Sequence, residues 1–335
     1  MFLFLPKSKM IKRKLYLLLS LFFLLPILAR SEILYPQKSI KLIVPFPPGG
    51  STDIFSRVLS EKLTEIWKQP VFIENKPGGN GLIAVDNFLK APADGHTILI
   101  GHVGTFSVVP NLYEKKPYNP LTDFIPISTI AIVPNILVVN PNLPFKNVSD
   151  LVQYARLNPG KLTYSSGGNG GASNLAMEYF KEVAKVEITH IPYKGAMPSI
   201  IDLIGGQVSM TLTGAPPLIQ HIETGRLRAL GIASDKRIDA IPSVPTISES
   251  GILELKGFEV TQWYGVAVKS GTPKDIVKKI ADSIKLTFNS SAIQAKLKAE
   301  GSIAQTNSSE EFIALINSEL NRWSSVIKNS KIQND

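Results

Sequence analysis

Short apolar runs and amphipathic stretches alternate along almost the whole chain. Residues 39–44, 70–74 and 97–101 are apolar or β-prone, of strand length, and bounded by proline, glycine or asparagine, which predicts strands. Between the first two, Ile54/Phe55, Val58/Leu59, Leu63 and Ile66/Trp67 recur at helical spacing and predict a helix over 51–67. Ser51 or Thr52 suits its N-cap, and Asp53 suits its first turn. A second helix is predicted over 82–90. After residue 140 the alternation resumes, with helices over 148–158, 172–185, 197–204 and 217–224 and strands over 162–165, 187–191, 208–213 and 227–233. Residues 130–140 and 258–268 are long extended segments, and helices over 273–289 and 309–329 close the pattern. Strand–helix alternation of this kind predicts an α/β fold with largely parallel sheets, in two broadly similar halves.

The first 31 residues stand outside this pattern. Lys7, Lys9, Lys12, Arg13 and Lys14 precede an apolar run from Leu15 to Leu28, and Ala29 and Ser31 sit at the −3 and −1 positions of a cleavage site. This is the pattern of a secretory signal peptide, cleaved near Ser31, and predicts a protein exported from the cytoplasm. Translation from Met1 or from Met10 gives a complete leader either way. The leader also changes the charge picture. The whole chain carries 36 Lys/Arg against 27 Asp/Glu; removing the six basic residues of 1–31 leaves 30 against 27, a net of +3. No basic surface for nucleic acid is implied. The absence of cysteine excludes disulfides and thiolate metal sites.

Two strand–glycine–helix crossings carry the chemistry. The first runs from Lys41 through Pro47-Pro48-Gly49-Gly50 to Ser51-Thr52-Asp53; the second runs from Leu162 through Gly167-Gly168-Asn169-Gly170-Gly171 to Ala172-Ser173. A helix start offers unpaired backbone N–H groups and the positive end of the peptide dipoles, so it suits an anion. Candidate ligand-binding residues are therefore Phe46, Pro48, Gly49, Gly50, Ser51, Thr52 and Asp53 on the first loop. On the second they are Ser166, Asn169, Gly170, Gly171, Ala172 and Ser173. Gly104 and Thr105 follow one strand and Thr213 ends another, positions where open α/β sheets place ligand contacts; Tyr193 opens a third helix and either lines a cleft or packs in a core.

Other chemistries fit poorly. The second loop lacks the last glycine of a dinucleotide fingerprint and the lysine of a P-loop, and no cofactor is predicted. His96, His102, His190 and His221 have no metal-like spacing. Gly-x-Ser-x-Gly does not occur. An exported serine hydrolase using Ser51, Ser166 or Ser173 at a helix start stays open as the alternative, without an evident base.

With these motifs placed, the chain resembles the TctC family, also called the Bug family, of tripartite tricarboxylate transporter substrate-binding proteins. The resemblance rests on residues 44–53, 74–78, 92–97, 164–172, 191–195, 225–230, 242–246 and 271–273 occurring in this order. It implies a type II periplasmic-binding-protein fold: two domains, two hinge-crossing strands and a ligand cleft between the domains. Residues 32–134 with 255–335 would form one domain and 135–254 the other, with 130–140 and 258–268 as the crossings. It also implies a small carboxylate-type ligand, no enzymatic activity, a monomer, and membrane permease subunits of the TctA/TctB kind as partners. A ligand sensor handing its closed form to a signalling partner is the further alternative. Two positions depart from the family: Asn174 stands where a histidine is common, and Leu82-Ile83 follows the turn at 78–81 in place of further glycines.

Overall fold

The computed structural model describes residues 35–330, so the predicted leader and its cleavage point lie outside the described residues. The first apolar runs become β1 (Ile40–Val44), β2 (Val71–Asn75) and β3 (Thr97–His102), parallel, with β1 in the middle. Their crossovers are α1 (Ser51–Trp67) and α2 (Leu82–Lys90). Helix α1 buries Phe55, Val58, Leu59 and Leu63, as its spacing predicts; each contributes about 1.5–3 kcal/mol. It ends at Lys68, whose left-handed backbone turns its N–H back to Thr64 O. Its N-cap is Gly50, not Ser51 or Thr52, and no side chain caps it. Asp53 instead reaches back one turn to the Gly49 amide at 3.0 Å, leaving both hydroxyls for other work.

One strand joins the two halves. β4 (Phe124–Val139) pairs antiparallel with β9 (Thr261–Lys269) along its first part. Its last five residues pair with β7 (Met210–Gly214) on one side and β8 (Arg228–Ala233) on the other. β9 also pairs with β3, which gives the order β2-β1-β3-β9-β4-β7-β5-β6. β4 begins six residues before the predicted start at 130. Pro126 and a shift of register beside it masked the extended pattern. β9 starts at Thr261, after the predicted 258, because the preceding residues turn to place the Val260 amide on Ala233 O.

On the far side of β4, α3 (Val148–Leu157), β5 (Thr163–Ser166), α4 (Ala172–Ala184), β6 (Thr189–Pro192), α5 (Ala196–Ile204) and α6 (Ile219–Glu223) follow the predicted alternation. The chain closes with α7 (Lys274–Phe288), α8 (Ser291–Ala299), β10 (Ile303–Ala304) and α9 (Ser309–Ser330). Helix α8 escaped the periodicity because it buries only Ile293 and Leu297. Each half has its own core. One is built around Phe88, Phe106, Phe124, Trp263 and Phe312; the other is built around Tyr164, Phe180, Leu212 and Phe258. Among the described residues no helix is long and apolar enough to cross a membrane.

Candidate ligand-binding cleft

Helices α1 and α4 both begin at the same cavity. It holds about 60 Å³ of solvent-reachable space, room for about four water molecules. Ser51 and Thr52 form one wall; Ala172 and Ser173 form another. The first-turn amides of a helix have no carbonyl a turn behind them, so both walls present backbone donors. The two glycine loops thus meet as the sequence predicts. Of the residues lining the cavity, none is lysine or arginine.

The floor comes from residues that were not predicted. His102, at the end of β3, stacks under Phe46 with ring centroids 4.5 Å apart. Its Nδ1 accepts from the Gly104 amide at 2.7 Å, which puts the ring proton on Nε2. Burial lowers its pKa from 6.5 to about 4, so the ring is a neutral donor. Tyr264 and Gln262, two residues apart on β9, face the cavity together. The Tyr264 hydroxyl donates to Gln262 Oε1 at 3.0 Å, and Gln262 Nε2 donates to Asn135 Oδ1 at 2.6 Å. Asn135 Nδ2 then donates to Val260 O at 2.9 Å, tying β4, where it passes from one half to the other, to the residue just before β9. Burial pushes the Tyr264 pKa well above the usual value and keeps the phenol protonated, against a smaller opposing effect of the Ser51 hydroxyl.

The predicted residues divide. Phe46, Gly50, Ser51, Thr52, Gly104, Gly171, Ala172, Ser173 and Thr213 line the cavity. Asp53 does not: its buried carboxylate accepts from Gly49 N, Arg57 Nε and Nη2, and Asn75 Nδ2, all from beneath the loop. Pro48 is exposed and outside it, and Gly49 faces Met197 of α5. Thr105 is buried in a one-turn π-helix (Gly104–Val108) and packs on Gly101, its hydroxyl without a partner. The Gly170 amide is taken by Asn174 Oδ1 at 2.8 Å and the Gly171 amide by Gly168 O, so the free donors of the second loop are narrower than predicted. Asn174 itself braces the loop, with Nδ2 on the Tyr164 hydroxyl at 2.6 Å. Ser166 is buried and holds Gly168 N and His190 Nε2.

Asn169 and Tyr193 line an outer groove of about 350 Å³ instead, together with Pro77, Gly79, Tyr113 and Lys194. The Tyr193 hydroxyl donates to Asp202 at 2.7 Å; burial and that carboxylate push its pKa up to about 12. Phe46, Pro47, Asn80, Gly167 and Gly195 stand between the groove and the cavity and belong to both. His102, Asn80, Gln262 and Tyr264 are the polar lining residues that sequence reasoning missed, and Pro47, Val109, Gly167, Gly195 and Ala196 were missed with them. His102 sits at a strand end beside Gly104, and the strand-end rule that selected Gly104 covers it equally.

Comparison with known proteins places the chain in a family. Residues 55–332 match the model of the tripartite tricarboxylate transporter family receptor. Protein BugT of Bordetella pertussis is 34% identical over 295 residues, 88% of this chain and 90% of that protein. A solved structure of R. palustris Rpa4515 with adipate superposes with a TM-score of 0.85 at 35% identity, covering 89% of this chain and 99% of that one. MatC from Rhodopseudomonas palustris, with bound malate, superposes at 0.81 with 28% identity, covering 88% of this chain and all of that one (100%).

Proposed function

We propose a function for this chain from one premise: it belongs to the tripartite tricarboxylate transporter receptor family. It is a periplasmic solute-binding protein that takes a small carboxylate into the inner cavity. The first-turn amides of α1 and α4 hold the carboxylate from two sides, helped by the Ser51, Thr52, Ser173 and Thr213 hydroxyls. His102 Nε2–H and the Tyr264–Gln262 pair read the rest of the molecule. The observation that carries this reading is a pair of helix starts opening on one cavity whose walls hold no cation and no carboxylate. Carboxylates found in Rpa4515 and MatC support the ligand class.

The lobes divide near residue 134 and again near 255, so that 135–254 is an inserted domain. Closure over the ligand then presents a monomer to membrane permease subunits of the TctA/TctB kind. Export follows cleavage near Ser31. A serine hydrolase fits less well. Ser166 has His190 Nε2 at 2.6 Å, but His190 Nδ1 faces the Asn174 amide nitrogen at 3.4 Å and must accept from it. The ring proton therefore sits on Nε2 and points at Ser166, opposite to what a general base requires.

A thermal-shift screen against mono-, di- and tricarboxylates tests the reading, since a ligand that binds only the fold raises the melting temperature. The companion variant is Gly50→Val. The Gly50 backbone lies in the extended region, and an added Cβ has no closer neighbour than Pro47 O at 4.0 Å, so the backbone itself tolerates a side chain there; an unchanged urea midpoint checks that valine folds. A carboxylate shift in the parent and its loss in Gly50→Val is the expected result. Binding that survives the valine removes the α1 amides from the site.

A further inference from the structure

We propose that Asn80, with Pro47 and Leu112, is a latch that seals the inner cavity from the outer groove and sets how long a ligand the closed form accepts. Three knobs on the β1–β3 side enter three glycine sockets on the other side. A Cβ at Gly195 would stand 2.5 Å from Pro47 Cδ. One at Gly168 would stand 2.7 Å from Asn80 Oδ1, and one at Gly170 2.5 Å from Leu112 Cδ1. These separations are shorter than real Cβ contacts, so a side chain at any of the three glycines would force its knob to shift; the Pro47 ring has no rotamer to escape by, whereas Asn80 and Leu112 would have to leave their seats. Asn80 adds a polar bolt: its Nδ2 donates to Asn169 O. Its backbone is left-handed (φ 53°), which aims the side chain across the gap from the turn before α2.

The latch does not make the carboxylate site. Asn80 and Pro47 border both spaces, while the amides of α1 and α4 lie deeper. A ligand short enough to end behind Asn80 leaves the bolt shut. A longer one reaches the outer groove only by displacing it, at the cost of the Asn80–Asn169 hydrogen bond and the seat on Gly168. Asn80 and its sockets are thus specificity-determining for length. The clause on ligand length rests on the cavity being the ligand site; the latch itself does not.

The test uses Asn80→Gly with Leu112→Ala. Glycine removes the side chain and suits the positive φ, where alanine would be strained. Both parent residues are only partly buried, so the fold survives. Because the chain has no cysteine, Lys90→Cys on α2 and Ile201→Cys on α5, both exposed, take a specific pair of spin labels. With no ligand added, the parent should show a short inter-label distance and the latch variant a longer or broader one. Identical distributions overturn the latch, whether or not any carboxylate binds. The second arm is a series of linear dicarboxylates from succinate to suberate. The variant should gain about tenfold in affinity for the longest members relative to the shortest, the worth of one hydrogen bond no longer broken. An unchanged length profile overturns the specificity role. A parent that binds no member, with the distance change present, overturns the carboxylate reading and upholds the latch.

Discussion

Asp53→Asn probes the support under the first loop without touching the cavity. The parent carboxylate is 1% exposed, and its two oxygens share four donors. Oδ2 accepts from Gly49 N at 3.0 Å and Arg57 Nε at 2.8 Å; Oδ1 accepts from Asn75 Nδ2 at 3.0 Å and Arg57 Nη2 at 3.3 Å. Asparagine keeps the shape but turns one oxygen into an amide nitrogen. Whichever way it flips, two donors then meet a donor. One of the two belongs to the exposed Arg57 and turns to water; the other, on Gly49 or Asn75, is left unsatisfied at about 1–3 kcal/mol. The negative charge at the helix start is lost as well, at about 0.3–1 kcal/mol. The Arg57 share is small, because its side chain is 61% exposed and such a pair contributes about 0–1 kcal/mol. Together these give a loss of about 3 kcal/mol, against at most about 1 kcal/mol for Arg57→Ala. Urea unfolding of both variants measures it. At about 2 °C per kcal/mol for a chain of this size, Asp53→Asn should melt roughly 6 °C lower. If Arg57→Ala proves as costly as Asp53→Asn, the ion pair, and not the bracing of Gly49 and Asn75, holds the loop, and the reasoning above is wrong.

Tyr264→Phe removes the hydroxyl that donates to the buried Gln262 Oε1; the orphaned acceptor should cost about 1–3 kcal/mol by urea unfolding, with a melting temperature roughly 2–6 °C lower, and an unchanged midpoint would contradict that chain of hydrogen bonds. The His102 ring, held neutral with a pKa near 4 against an ordinary 6.5, gives a pH signature. Its contribution to stability is complete above about pH 6.5 and is lost as the pH falls toward 4, because the unfolded chain then takes up a proton that the fold refuses. That difference corresponds to about 3 kcal/mol, and screening at a ring partly open to the cleft reduces it to about 2 kcal/mol. The urea midpoints of the parent and His102→Gln should therefore converge or cross between pH 7 and pH 4; parallel curves would contradict a neutral, buried imidazole.

Much of the fold was legible because α1, α4 and α5 bury one clean stripe each and the strands between them are short and apolar. Boundaries failed where a local signal competed with the long-range one. Pro126 hid the start of β4, and α8, with two buried residues, had too narrow a stripe to read. At the site, the glycine loops were visible because a helix start has a local composition. Asp53 and Thr105 were misplaced because sequence says that a polar side chain is near a loop, not which way it points. Tyr264 and Gln262 were invisible for a different reason. They face the cavity only because β9, far along the chain, returns to lie between β3 and β4, and no local pattern encodes that return.

That return also dictates an order of assembly. Only 21 residues lie between the end of β3 at His102 and the start of β4 at Phe124, yet the two strands never pair. Each must wait for β9, and Ile132 of β4 waits longer still for Ile303 of β10. The entropy of closing such long loops is spent before any of these contacts forms, so the first lobe cannot settle while its last segments are still missing. A half-made chain therefore has an unfinished sheet and no native cleft. Completion of the first lobe falls late in synthesis, once β9 and β10 are both present to pair with β4.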